Sequence, residues 1–201
     1  MNEAIAEVAA DETRGLPGLV AFAPDELVEY LGLVNYATSE RVLKEIEDRL
    51  QASPAAPIRM VVTSAGGPSG TAMGFYDTVR TILRPAALTT IGAGDVDSSG
   101  ILLLLTGSTR LVTAHTTGLL HLAGRYFDPN TRYTARDLRT MAAEDEAKDR
   151  QYAAIVAANT SGRLSATGVL RMMRRETLLA PTDFVRYGLA HAVVDEGSFP
   201  N

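Results

Sequence analysis

The 201-residue chain has no cysteine. That excludes disulfides, thiolate metal ligands and a thiol nucleophile, and it fits a cytoplasmic chain. Histidine is scarce too: His115, His121 and His191 are the only three, so the choice of an imidazole base is narrow. No apolar run approaches the roughly 20 residues that a membrane helix needs. The first fourteen residues carry Glu3, Glu7, Asp11 and Glu12 and lack the basic start and apolar centre of a signal peptide, so none is expected. Acidic residues outnumber basic ones, 24 to 19, for a formal net charge of −5. No basic patch stands out, and neither nucleic acid nor a membrane is expected as a partner. Internal repeats and low-complexity segments are missing. What is present is the 46% hydrophobic and 21% charged content of a soluble globular protein, over a length that suits one domain with a sizeable core.

Hydropathy patterning alternates strands with helices. Leu27 to Val34 reads as a strand with a turn at Asn35. Ser39 to Gln51 has helical spacing, capped by Thr38 or Ser39. Ile58 to Val62 reads as a strand buried on both faces, Thr71 to Leu83 as a helix, and Ala87 to Ile91 as the next strand. Leu102 to Thr106 continues as helix, and Thr109 to Thr113 and Gly118 to Leu122 as strands. Thr134 to Asn159 is the longest helical pattern, with a charged middle that lets it project from a domain. Ser165 to Met173, Thr177 to Ala180 and Pro181 to Tyr187 give a helix, a strand and a last helix closed by Gly188. The alternation predicts an α/β fold with largely parallel pairing.

The chemistry concentrates in three turns. Gly92 to Gly100 is a polar, Gly-rich turn holding Ser98 and Ser99, and the apolar run Ile101 to Leu105 follows at once. A helix start offers unpaired N–H groups and positive dipole potential, which favour a developing anion and suit a nucleophilic serine. Ser98 as a plain helix cap is the other reading. Ser64 to Gly70 contains Gly66-Gly67, whose N–H groups no side chain would screen. With the N–H of Ser99, they could make an oxyanion hole. His121 ends a strand. It could be a base or a structural histidine.

These pieces fall in an order that resembles ClpP, the proteolytic subunit of the Clp protease. Ser64-Ala65-Gly66-Gly67 with the helix from Thr71 to Thr78 is similar to that family's Ser-Pro-Gly-Gly segment. Ser98-Ser99-Gly100 resembles its Ser-Met-Gly turn, and Leu120-His121 its Ile-His. Leu179-Ala180-Pro181 and Val185-Arg186-Tyr187-Gly188-Leu189 resemble its Ser-Ala-Pro and Tyr-Gly-Leu ending. The resemblance spans Leu27 to Val194. It implies a ClpP/crotonase-like fold of stacked βαβ units. Residues 1–26 would be a lead-in and 27–197 a peptidase domain, with a protruding handle helix at about 134–159. It implies Ser98 as nucleophile, His121 as base, and the N–H groups of Gly67 and Ser99 as oxyanion hole. Substrate would be unfolded polypeptide fed by an ATP-driven AAA+ unfoldase. The handle would join rings, a heptamer or stacked double heptamer of one or two kinds of subunit, through residues such as Met141, Ile155 and Val156. No cofactor and no metal is implied.

The chain departs from the family at the third triad member. The family's aspartate falls on Met172, or on Arg171 with one inserted residue, and neither can accept from an imidazole N–H. Glu176, four residues on from Met172, is a possible substitute or a solvated charge. Asp97, beside the serine, would repel an oxyanion or cap the helix. Two further readings therefore stand beside the active peptidase. One is a catalytically impaired structural subunit that assembles with an active paralogue. The other is a crotonase-type acyl-CoA enzyme, in which Ser98 and His121 are incidental.

Overall fold

The computed structural model describes residues 27–195, so the expected lead-in, 1–26, lies outside the described residues. The chain runs β1 (Leu27–Leu31), α1 (Tyr36–Ala52), β2 (Ile58–Ser64), α2 (Ser69–Asp77), a π-helical turn (Thr78–Leu83), β3 (Leu88–Val96), α3 (Gly100–Leu104), β4 (Thr109–Thr113) and β5 (Gly118–Leu120). It continues through α4 (Ala135–Ala158), α5 (Ala166–Arg174), β6 (Thr177–Leu179), α6 (Pro181–Arg186) and β7 (Ala192–Val194). Five strands form one parallel sheet in the order β1-β2-β3-β4-β7, and β5 and β6 form a separate antiparallel pair. This is the expected α/β architecture of βαβ units with one long helix.

The central strands β2 and β3 open on buried residues almost without alternation, as interior parallel strands do. Val28, Tyr30, Met60, Val62 and Leu88 meet the helices in one core, together with the wholly buried run Ile101 to Leu105 of α3. All five strands of this sheet pair in parallel, from Leu27 opposite Arg59 and Ile58 opposite Leu88 to Leu111 opposite Ala192, so their C-termini, and the turns that follow them, share one edge.

One helix start and one helix end differ from expectation in instructive ways. α1 begins three residues earlier than its apolar stripe, capped by Asn35, whose Oδ1 accepts from the Thr38 N–H at 2.8 Å. Neither Thr38 nor Ser39 caps it. Tyr36 is exposed, so the hydropathy period starts only at Ser39, whose hydroxyl is used inward on Tyr30 Oη at 2.8 Å. The helix predicted over Thr71–Leu83 ends as α-helix at Asp77 and finishes in the π-helical turn, closed by Arg84 in the left-handed region. α4 matches its pattern closely because Thr134 and Asp137 form a reciprocal capping box, which contributes about 1 kcal/mol.

The C-terminal motif is held by a buried arginine. The Arg110 guanidinium donates to the carbonyls of Leu189 at 2.8 Å, Asn159 at 2.9 Å and Gly188 at 3.2 Å. Phe184, fully buried in α6, packs so tightly on β5 that a Cβ at Gly118 would lie 2.5 Å from its ring.

Candidate active site

β3 runs to Val96, five residues beyond the end expected at Ile91. Gly92, Gly94 and Asp95 have poor strand propensity, so the stretch reads as a turn, yet Gly92 pairs with Val62 and, after a bulge, Val96 with Ser64. Only Asp97, Ser98 and Ser99 remain as the turn. The N-cap of α3 is Ser99, and no side chain caps it. The capping readings of Ser98 and Asp97 are therefore corrected. α3 begins after both of them, and its start is tied by a backbone bond from the Gly100 N–H to the Asp97 carbonyl at 2.7 Å.

Ser98 adopts φ 52°, a left-handed conformation that costs a non-glycine residue roughly 1–3 kcal/mol and persists only where its surroundings dictate it. They do so here. The Ser98 N–H donates to the Leu119 carbonyl at 2.7 Å. Its own carbonyl accepts from Tyr152 Oη at 2.7 Å, across 54 residues of sequence. Tyr152 is buried on α4, and burial pushes its phenol well above the ordinary value, so it stays a hydrogen-bond donor. Among the described residues, the Ser98 hydroxyl itself accepts and donates nothing.

The Gly66-Gly67 segment lies directly against this turn. A Cβ at Gly66 would fall 2.8 Å from Ser98 Cβ and 3.2 Å from its Oγ; one at Gly67 would fall 2.3 Å from the Val34 carbonyl oxygen. Glycine is required at both positions by close approach as well as by φ of 93° and 153°. The segment is pinned from three sides. The Val34 N–H donates to the Gly66 carbonyl at 2.8 Å, the Ser99 hydroxyl to the Gly67 carbonyl at 2.8 Å, and the Gly66 N–H to Ser64 Oγ at 3.1 Å. The N–H groups of Gly67 and Ser99 have no acceptor among the described residues. Two unsatisfied donors beside a free hydroxyl, on a rigid frame, are suited to stabilise an oxyanion.

The base side is looser. His191 is engaged elsewhere, its Nδ1 accepting from the Arg110 N–H at 3.0 Å, and His115 is exposed in its turn. His121, half-buried, is left, one residue past β5. The structure brings its strand to the serine through the Ser98–Leu119 bond, but the imidazole makes no hydrogen bond to Ser98 or to any other described residue. Of the three residues considered as its partner, Arg171 is exposed and Met172 packs against the core. Glu176 is exposed at φ 50°, one residue before β6. Because Leu120 pairs with Thr177, His121 and Glu176 leave that ladder at the same end. Beyond His121, Leu122, Glu146, Asp149, Arg150, Leu170 and Arg174 line an open cavity of about 300 Å³. Asp149, nine-tenths buried, accepts from the Ala123 N–H at 2.9 Å and fixes the strand exit to α4.

Sequence reading missed Tyr152, which it took only as part of the apolar side of α4. Its signal is a lone hydroxyl in a stripe otherwise made of Leu138, Met141, Ala142, Ile155 and Val156, since a buried tyrosine Oη needs a partner. It also placed Val156 on a ring-joining surface, whereas Val156 is wholly buried in this chain's own core.

Comparison with known families gives a match between the model of the Clp protease family and residues 23–197. No curated protein matches the chain. Among the described residues, no helix is long and apolar enough to cross a membrane.

Proposed function

The chain belongs to the Clp protease family, and on that premise we propose that it works as a serine peptidase subunit with Ser98 as nucleophile and His121 as base. The observation that carries this is Ser98 at φ 52°, whose hydroxyl, like the N–H groups of Gly67 and Ser99, has no hydrogen-bond partner among the described residues. In the proposed cycle Ser98 Oγ attacks a peptide carbonyl carbon while His121 takes the hydroxyl proton. The tetrahedral oxyanion accepts from Gly67 and Ser99. His121 returns the proton to the leaving amine as the C–N bond breaks. Water then attacks the ester with His121 again as base, releasing the acid and restoring Ser98. The cycle uses two side chains, two N–H groups and water, and calls for no cofactor in this subunit.

Substrate in this reading is unfolded polypeptide delivered by an AAA+ unfoldase to a ring of these subunits, a heptamer or a stacked pair. Residues 27–197 form the peptidase domain and 1–26 its lead-in. What supports assembly is the distribution of burial along α4. Asp149, Tyr152, Ala153 and Val156 are buried, all in its second half, while the first half projects with Leu138 exposed. Tyr126 is fully exposed and Phe127 half exposed on the segment leading into it. A monomer by native mass spectrometry at micromolar concentration would refute the ring.

A second reading is favoured by one observation, the non-carboxylate side chains at Arg171 and Met172: a structural subunit that assembles with an active paralogue. Labelling with a fluorophosphonate probe separates the two. Modification at Ser98, lost in Ser98→Ala and in His121→Ala, is the expected result. No modification, alone or with a paralogue added, leaves the structural subunit.

A further inference from the structure

The end of β3 runs alongside β5 in the parallel sense. Asp95 bridges Thr117, and the two side chains meet, Thr117 Oγ1 donating to Asp95 Oδ1 at 3.3 Å. The Val96 N–H reaches the Thr117 carbonyl at 2.9 Å and the Ser98 N–H the Leu119 carbonyl at 2.7 Å. Residues opposite each other in a strand pair send their side chains to one face, and so does every second residue along each strand. The register that pairs Asp95 with Thr117 therefore sets Asp97 beside Leu119, and His121 two residues further on that same face. We propose that Asp97, from the nucleophile's own turn, supplies the carboxylate partner of His121 that the chain lacks at Met172 and Arg171. Asp97 acts here as a positioning residue: it favours the imidazolium that forms when His121 takes the serine proton. The inference rests on the peptidase reading of Ser98 and His121 and adds the source of the third group.

The electrostatics of Asp97 agree. Burial, and then the neighbouring Asp95 charge, push its carboxyl above the usual range, while His121 and the Leu119 N–H pull it back. A half-buried carboxylate next to a second one persists where a cation or a donor faces it. The charged groups lining the cavity beside Leu122, the next residue, are Arg174 on α5 and Glu146, Asp149 and Arg150 on α4, and Glu176 lies one residue before β6, at the end of the ladder that His121 leaves. Asp149 is committed to the Ala123 N–H, and Glu146 is paired with Arg150. Glu176 is the rival carboxylate, and it is exposed.

The test compares wild type, Asp97→Asn and Glu176→Gln in the full-length assembled protein, by fluorophosphonate labelling rate and by kcat and KM on an unstructured peptide across pH. Asp97→Asn is expected to lower kcat and the labelling rate about tenfold or more, within the range that loss of a triad carboxylate produces. KM should stay within twofold and the profile should change on its acid side. Glu176→Gln should change neither. Asp97→Asn within twofold of wild type, or the loss falling on Glu176→Gln instead, overturns the proposal. Should wild type show no labelling, the peptidase reading fails first, and diethyl pyrocarbonate still decides on Asp97. With the carboxylate partner removed, His121 should be modified at least threefold faster at pH 6 in Asp97→Asn. An unchanged rate would reject the pairing irrespective of activity.

Discussion

The two halves of the candidate dyad are held very differently. The Ser98 turn is fixed through its N–H to Leu119, through its carbonyl to Tyr152 and, one residue on, through the Ser99 hydroxyl to Gly67. These bonds come from β5, α4 and the glycine segment, and together they maintain a backbone conformation that an isolated serine avoids. His121 lies past the end of a three-residue strand, and its ring has no hydrogen-bond partner among the described residues. The oxyanion apparatus is thus preorganised while the base is not. Electrostatic preorganisation is the larger contribution in acyl transfer, and a base can tighten onto its nucleophile when substrate binds. Changes on the serine side should therefore remove activity. Changes to the groups around His121, short of removing the imidazole itself, should tune it, in either direction.

Gly67→Ala should have the largest effect. The added Cβ meets a backbone oxygen at 2.3 Å, so the segment must move and withdraw its N–H. The probe-labelling rate at Ser98 is expected to fall by about 10²-fold or more, the scale of losing one oxyanion donor. Circular dichroism and native mass spectrometry should report a folded, assembled protein. Labelling within threefold of wild type would mean that Gly67 does not serve the oxyanion.

Met172→Asp tests the loose side by addition. Thr177 Oγ1 donates to the Met172 carbonyl at 2.8 Å, and Thr177 pairs with Leu120, so the backbone at 172 is tied to the strand that delivers His121. In the Asp97→Asn background, a carboxylate there should raise the labelling rate about tenfold, part of the roughly 10⁴ that a well-placed triad carboxylate contributes. The cost is about 1–2 kcal/mol of stability for lost packing, read as a lower melting temperature. No gain at 172, with a gain for Arg171→Asp, would locate the inserted residue near Pro181 and shift the frame by one.

Most of the fold was legible because its signals are local. Ile58 to Ser64 is apolar on both faces, Thr134 stands three residues before Asp137, and Pro181 opens a helix that Gly188 follows. The candidate site was legible only as a set of residues. Its decisive features are the φ of Ser98, the Tyr152 bond across 54 positions and the face shared by Asp97 and His121. All three arise from contacts between elements distant in sequence, which periodicity does not encode. The end of β3 was misread for the same reason. Gly94 and Asp95 argue for a turn, and they do leave the β2 ladder in a bulge; the bridge from Asp95 to Thr117 and the return of pairing at Val96 carry the strand on.

Tyr152→Phe measures how much of the rigidity on the serine side comes from α4. The ring still fills its core position, and only the bond to the Ser98 carbonyl is lost, at about 1 kcal/mol. The expected result is a three- to tenfold lower kcat at unchanged KM, with a modest drop in melting temperature, about the size of that one bond. Equal losses in kcat and stability for a control such as Val156→Ala would show that core packing on α4, and not the hydroxyl, sets the turn.

The smallest effect concerns the histidine that has what His121 lacks. The His191 ring accepts at Nδ1 from the Arg110 backbone N–H at 3.0 Å, which keeps Nδ1 unprotonated, and the His191 backbone N–H donates to the Arg110 carbonyl at 2.7 Å. Burial, and then the charges of Arg110 and Arg163, hold it below the ordinary histidine value. The folded state therefore resists a proton that the unfolded chain takes up below about pH 6.5. Stability is fully present above that pH. It is lost progressively as pH falls from about 6.5 toward the lower folded value, where the unfolded state binds more protons. His191→Asn offers an acceptor oxygen in place of Nδ1 and does not titrate. Its melting temperature should fall less than that of wild type between pH 7 and pH 5, with labelling at Ser98 unchanged at pH 7. The same substitution at His121 should abolish labelling at pH 7, which would separate the histidine that holds the fold from the one that serves the serine.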